Sequence, residues 1–589
     1  MLRTRRLPGV RFAGGPSPAP EALPRMDVAL FVGFAASGPL ETPVAVEDPA
    51  GFAAVFGGEL PLAWDPVPRE TITTHLSAAV AAFFRQGGRR CWVVRVAGPT
   101  ARANTFLVSG LLGLRATEDG PEFAAASVAA RSAGSWSDSL RVGAAVDIRP
   151  LPHIGPLDAA GGSIELTTAA RGAVEVGDLL RLTYPRAGVI AFLGVPAVSE
   201  PRVTTEPVAA FRQSGNAAVE FDPAPPPGSV VPLTSGSWLV VTEAGRSLGS
   251  PLAGDEVTGE AFEPLTAEAL TTARPELLDP RPVLERVRLE LWVRDGERIV
   301  ATARDLGLTA RHARFWGAMP TDEQAFDVGI PPGPRFPLAG DGRPWLAGLP
   351  LGLGVSPRWF VARNRDDNDP LVRDGLAEMS ASLFKGGDDP RFTALDTASS
   401  RDLIGRLDYL RYQVEPPVRM RGIYHAVALD EVTLVAVPDA VQPGWDQQTG
   451  KPPPAPKPPP QPIPLTVLPS EFQPCGLPEE EPLAPPQVLP VVTPAPRWLV
   501  RTPADPGAEL LAVQTALLRL CAAHRELFVV LALPARYRTN QATEHAGRLR
   551  AAFVSEPDIP GFGALYHPWL IGSEGDAGGP IRTRPPDGA

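Results

Sequence analysis

Seven histidines, three cysteines and two acidic runs are the residues of this chain whose types could do chemistry, and their spacing decides whether they can. His75, His153, His312, His425, His524, His545 and His567 are scattered, and none stands at metal-ligand spacing from another. Cys91, Cys475 and Cys521 are too far apart for a zinc knuckle or a disulfide framework, which suggests a reducing compartment. Asp366-Asp367-Asn368-Asp369 has the ligand types of a calcium loop but lacks its glycine and distal glutamate, and Pro370 follows. That run reads as a solvated turn or a helix start, and Glu479-Glu480-Glu481 as a solubilising charge run. Leu351-Gly352-Leu353-Gly354 lacks the third glycine and the helix of a dinucleotide loop. A phosphate-binding Walker loop and a GxSxG nucleophile elbow are also missing. His425 and His567 adjoin apolar runs and read as core histidines with hydrogen-bond partners. No catalytic, cofactor or metal residue is assigned, and the expectation is that the chain is not an enzyme.

The elements around these residues carry more information. With 589 residues, the chain exceeds one hydrophobic core and should form about two to four domains. Its 44% hydrophobic and 21% charged residues are those of a globular protein. A net charge of −11 argues against nucleic acid as a partner. No run reaches the roughly 18 apolar residues of a membrane helix. Arg5-Arg6 ahead of the apolar run Val28–Ala36 has the order of a twin-arginine signal. The intervening Pro8, Pro16, Pro18, Pro20 and Pro24 favour instead an extended arm leading into a buried strand.

Strand and helix periods alternate along most of the chain. Glu431–Val437 is an almost unbroken β-branched run, the mark of a strand buried on both faces of an α/β sheet. Val28–Phe34 and Cys91–Val96 read as further strands, with an amphipathic helix over Arg69–Arg85 between them, stopped by Gly87-Gly88. Near the other end, a helix over Glu509–His524 precedes the apolar strand Leu527–Leu533. A helix over Asn540–Phe553 then precedes a last strand, Ala564–Leu570. Such strand–helix–strand units imply right-handed parallel crossovers, with Glu431–Val437 and Leu527–Leu533 as neighbours. Residues 151–280 carry short alternating runs at Ser163–Thr167, Leu179–Thr183, Val189–Val195 and Ser237–Thr242, which predict a small β-domain. Val283–Val300 alternates around an Asp295-Gly296 turn. Residues 441–497 include KPPPAPKPPPQPIP, which favours polyproline II and should stay outside helix and sheet, as a loop contributing little stability.

Several of these segments resemble the sheath proteins of contractile phage tails and extracellular contractile injection systems. Leu7-Pro8-Gly9-Val10-Arg11-Phe12 is similar to the family's PGVY-like start, which implies an arm that adds a strand to a neighbouring subunit. The VGFA-like strand, Phe56-Gly57-Gly58, the FF-x-x-GG helix end at Phe83–Gly88 and the CWVVRV strand follow in the family's order. Ala129–Val142 resembles its SPGxWGxxLxV turn, with Ser137-Asp138 where Gly-Asn is usual. Similar segments are Asp305–Leu308 with Phe315-Trp316, Phe336–Gly340 with Leu349–Gly352, the DGL…LF helix at Asp374–Phe384, and the AxYHPWL-like Ala564–Leu570. In the family a PPxGxxAG turn leads on to a tube-facing helix and a C-terminal arm. Arg584–Ala589 matches only the start of that turn. The resemblance therefore implies that the tube-gripping region lies outside these 589 residues, and that this chain alone stays a monomer or small oligomer.

The expected fold class is a mixed α/β (α+β) multidomain protein, with an α/β core, an inserted β-domain and a proline-rich loop. The expected division is an arm over 1–26, α/β parts over 27–150, 281–440 and 498–589, the β-domain over 151–280, and the loop over 441–497. By resemblance, the chain is a structural subunit that assembles with copies of itself, an inner tube protein and a baseplate, in a cytoplasmic particle released on lysis. Two rival classes are a cell-surface or glycan-binding accessory protein and an α/β hydrolase with an unrecognised site.

Overall fold

The computed structural model describes residues 27–221, 225–244, 255–279, 281–361, 369–448, 498–501, 507–573 and 581–588. The expected arm with Leu7–Phe12, most of the proline-rich loop, Asp366–Asn368, Cys475 and Glu479–Glu481 lie outside them. The fold is mixed α+β and multidomain.

A doubly wound sheet forms the α/β part. Its elements are β1 (Val28–Gly33), β2 (Val44–Val46), α1 (Leu76–Arg85), β3 (Arg90–Arg95), α2 (Ser400–Tyr412), β4 (Leu434–Ala436), α3 (Gly507–His524), β5 (Phe528–Ala532), α4 (Thr539–Ala551) and β6 (Gly563–Tyr566). The strand order is β2-β3-β1-β4-β5-β6. All neighbours are parallel except the antiparallel edge strand β2. The expected neighbours β4 and β5 pair, Val435 opposite Val529. Successive β1 side chains enter two different cores: Leu30 and Val32 pack with α3, and Ala29 and Phe31 with α1.

Four expected elements differ in extent. The helix predicted over Arg69–Arg85 begins only at Leu76, because Glu70–Thr73, rich in β-branched residues, pairs as a strand with Pro61–Asp65. The central strand is three residues long instead of seven, since Asp430 and Glu431 are exposed and Pro438 cannot continue the ladder. Asp374–Phe384 is no continuous helix: Gly375, at φ 74°, ends the short helix Pro370–Arg373, and a separate 3-10 turn follows at Ala381–Phe384. The last strand stops at Tyr566, ahead of Pro568. Beyond it, β7 (Leu570–Ser573) pairs only with β8 (Ile581–Arg584).

The β-part is larger than the sequence suggests. All four predicted strands of residues 151–280 are present, but they belong to a twelve-stranded sheet that also takes in Leu140–Pro150, Val283–Asp295 and Arg358–Val361. The boundaries at 150 and 280 therefore cut through one hydrogen-bonded sheet: Leu180 pairs with Arg286, and Leu289 with Val146. A separate apolar core, from Leu151 through Leu182 and Tyr184 to Leu270 and Leu284, does follow the predicted segment. A second core joins the sheet to the four-stranded sheet of Thr105–Thr117, Gly120–Ala130, Leu338–Gly340 and Trp345–Leu349. The predicted hairpin Val283–Asp295/Arg298–Leu306 turns at Gly296, φ 57°. The expected loop starts later than 441: Gln442 and Trp445 are buried, and Trp445–Gln447 pairs with Trp498–Val500.

Candidate functional site

Open α/β sheets bind ligands at the carboxyl ends of the strands, where the strand order reverses. Here that point lies between β1 and β4: β1 leads leftward to β3, and β4 rightward to β5 and β6. Gly33 ends β1, and Val437-Pro438-Asp439 follows β4. Asp439 is completely buried. Its carboxylate accepts from Phe34 N–H at 2.9 Å and from His75 N–H at 2.7 Å. It therefore caps α1 from 364 residues away, because the His75 side chain makes no capping bond of its own. Gly33 is required, since a Cβ there would lie 2.6 Å from Asp439 Oδ2. Burial pushes the Asp439 carboxyl up to about 6, against the lowering effect of these N–H bonds. Burial likewise pushes His75 down to about 3, reinforced by Arg584.

This crevice is filled by the protein itself. The 3-10 turn Pro586–Gly588 packs against α1 and β5. Burial, and then the neighbouring Asp439, raise the Asp587 carboxyl to about 8. The space left beside Asp587 and Gln514 is about 10 Å³, at the lower limit of what one water molecule needs. His75 stacks edge-on to Trp569 at 5.2 Å. The node thus couples three distant chain segments through backbone capping.

A second polar node joins the α/β sheet to the β-part, and the quoted motifs meet there. Arg95, the last residue of β3, is 1% exposed and donates to the carbonyls of Gly38 and Ala133 at 2.9 and 2.8 Å. Asp374 accepts from Ser135 N–H at 2.6 Å and from its hydroxyl at 2.9 Å, and its charge favours the Arg95 cation. Burial nevertheless pulls Arg95 down to about 10 and pushes Asp374 up. Next to it, the fully buried Arg373 donates to Asn104 Oδ1 at 3.0 Å and pairs with Asp138. Asp138, which follows the Trp136-Ser137 pair of the turn, supplies this ion-pair partner. Arg131 reaches Asp322 at 3.3 Å and the Ala54 carbonyl at 2.9 Å, and Asp322 also pairs with Arg335. The FF-x-x-GG motif is a helix stop: Gly88 N–H returns to Phe83 O at 2.9 Å, and a Cβ on Gly88 would lie 2.3 Å from the Phe83 ring.

The sequence-singled residues fall as follows. His567 has the expected hydrogen-bond partner, its Nε2 donating to the Tyr537 carbonyl at 3.0 Å, but it is half-buried and not in the core. His425 is buried, but its Nε2 has no hydrogen-bond partner and lies 3.6 Å from Glu41 Oε2. Asp369 caps the helix Pro370–Arg373 through Leu371 N–H at 2.9 Å, the helix-start reading of the acidic run. Cys91 and Cys521 are buried free thiols. Among the described residues, no three His, Cys, Asp or Glu side chains are grouped to hold a metal, and no helix is long and apolar enough to cross a membrane. Sequence reasoning missed Asp439, Arg95 and Arg373 as partners. The only local signal was a charged residue directly at the end of a strand or short helix.

One surface is unfinished. Among the described residues β6 has no partner on its outer side, and β7–β8 is a two-stranded sheet with both outer edges open. Tyr566, Leu570 and Ile571 are exposed there, Ile571 by 75%. Exposed edges with apolar side chains are surfaces that soluble proteins usually cover. No protein-family model matches this chain, and no curated protein matches it.

Proposed function

We propose that this chain is a structural subunit of a contractile sheath, stacking in rings around an inner tube and driving it out by contraction. The observation that carries the reading is the joint at Arg95. Three segments carrying the resemblance, Cys91–Val96, Arg131–Trp136 and Asp374–Leu376, converge there with the loop at Gly38 on one buried hydrogen-bonded node. Such a joint ties the α/β sheet rigidly to the β-part, as a subunit that moves as a body requires. The open edges of β6 and β7–β8 support it further, because strand addition between subunits needs unpaired edges. In this role the free energy for movement is stored when the lattice assembles, and the partners are copies of this chain, a tube protein and a baseplate in a cytoplasmic particle. Negative-stain microscopy of lysates from cells that express the chain, with mass spectrometry of purified rods, is the test. Rods of extended and contracted length containing this chain are expected; rods assembled without it would overturn the proposal.

A further inference from the structure

A cleft of about 330 Å³ opens along α3, away from both polar nodes and from the open sheet edges. One helical face builds its wall: Ala508, Leu511, Ala512, Thr515, Ala516 and Arg519 recur at intervals of three and four residues. The alanines leave the gap, and Leu403 of α2 with Leu395 closes it on the other side as an apolar surface. Three cations and one carboxylate line the same space. Asp396 is already taken, its Oδ2 2.7 Å from Lys385 Nζ. Among the described residues, the two guanidinium groups make no ion pair with a carboxylate. Arg519 donates through Nη1 to the Asp396 carbonyl at 2.7 Å, and its buried Nε–H has no hydrogen-bond partner. Arg548, exposed on α4, makes no ion pair among the described residues.

The largely apolar lining lowers the local dielectric, so an anion entering here gains more from the two guanidinium groups than at an open surface. Guanidinium groups favour planar or tetrahedral oxyanions, which they meet with two parallel bonds. The volume is at the small end of ligand sites. We propose that this cleft binds a small amphipathic organic anion, its carboxylate or phosphate head held by Arg519 and Arg548 and its apolar body lying on Leu395, Leu403 and Leu511. The assembly reading does not use this cleft, so the two stand or fall separately.

Isothermal titration of the purified chain with benzoate, phenyl phosphate and inorganic phosphate tests it. Saturable binding of benzoate or phenyl phosphate is expected, with whichever binds more tightly naming the head group, and with inorganic phosphate weaker because it lacks the body. R548E, at an exposed position, should keep the fold and weaken binding about tenfold, the scale of one charge-assisted hydrogen bond. R519M should weaken it further. Three results would overturn the proposal: no saturable binding of either organic anion at millimolar concentration, binding unchanged in R548E, or inorganic phosphate binding as tightly as phenyl phosphate.

Discussion

The two polar nodes solve one problem with opposite charges. At the crevice, the carboxylate of Asp439 gathers main-chain N–H groups at the end of β1 and the start of α1. At the joint, the guanidinium of Arg95 gathers main-chain carbonyls of two loops. Both convert unsatisfied backbone into tertiary connection, and both are buried. They differ in their response to protons. A guanidinium keeps its charge across the physiological range, whereas a carboxyl held near 6 changes state within it. The crevice should therefore be tuned by pH near 6, while the Arg95 cation of the joint stays charged.

The largest effect should come from breaking the joint. R373M leaves Asp138 and Asn104 without their buried partner and should cost about 3–5 kcal/mol, read from urea unfolding. D439A strips the acceptor from the buried Phe34 N–H and the part-buried His75 N–H and should cost about 2–4 kcal/mol at pH 7, with hydrogen exchange rising at Phe34 and His75 first.

D439N sharpens the contrast in pH. The folded value of Asp439 lies above the ordinary carboxylate value near 4, so between about 4 and 6 the native state holds the extra proton and stability falls as pH rises. The wild type should lose up to about 3 kcal/mol from this group between pH 4 and pH 7, and D439N should lose none of it. His75 acts in the opposite direction, since its folded value of about 3 makes stability fall as pH drops below about 6.5. It does so in both proteins, so the difference between their pH curves reports Asp439 together with its effect on the neighbouring Asp587. A difference curve flat from pH 4 to pH 7 would show that Asp439 does not titrate in the fold.

The smallest effect on folding is expected at the open edge. I571K places a charge at a side chain that is already 75% exposed, and stability should change by less than about 0.5 kcal/mol. Its effect should appear in association instead: light scattering should show less self-association than in the wild type if strands add at β7. Unchanged association would move the interface elsewhere.

Much of the fold was legible because it depends on local pattern. The apolar runs at Val28, Cys91, Val435 and Phe528 could only be buried strands, and the spacing of α3 and α4 could only be helical, so the parallel order β4-β5-β6 followed. The alternation of residues 151–280 announced β-structure. Its limits did not follow, because hydrogen bonding between Leu180 and Arg286 or Leu289 and Val146 leaves no mark in any one window of sequence. Local competition also hid the strand Glu70–Thr73 at the head of a helical pattern: three consecutive β-branched residues took the edge offered by Pro61–Asp65.

What the sequence determined by itself was therefore the class of the fold, the identity of its central strands, and the Gly87-Gly88 stop of α1. The tertiary structure alone decided which charges meet. Asp439 and His75 lie 364 residues apart, and Arg373 and Asp138 lie 235 apart. Burial makes each of these groups need a partner, but only the packed chain brings one within hydrogen-bond reach.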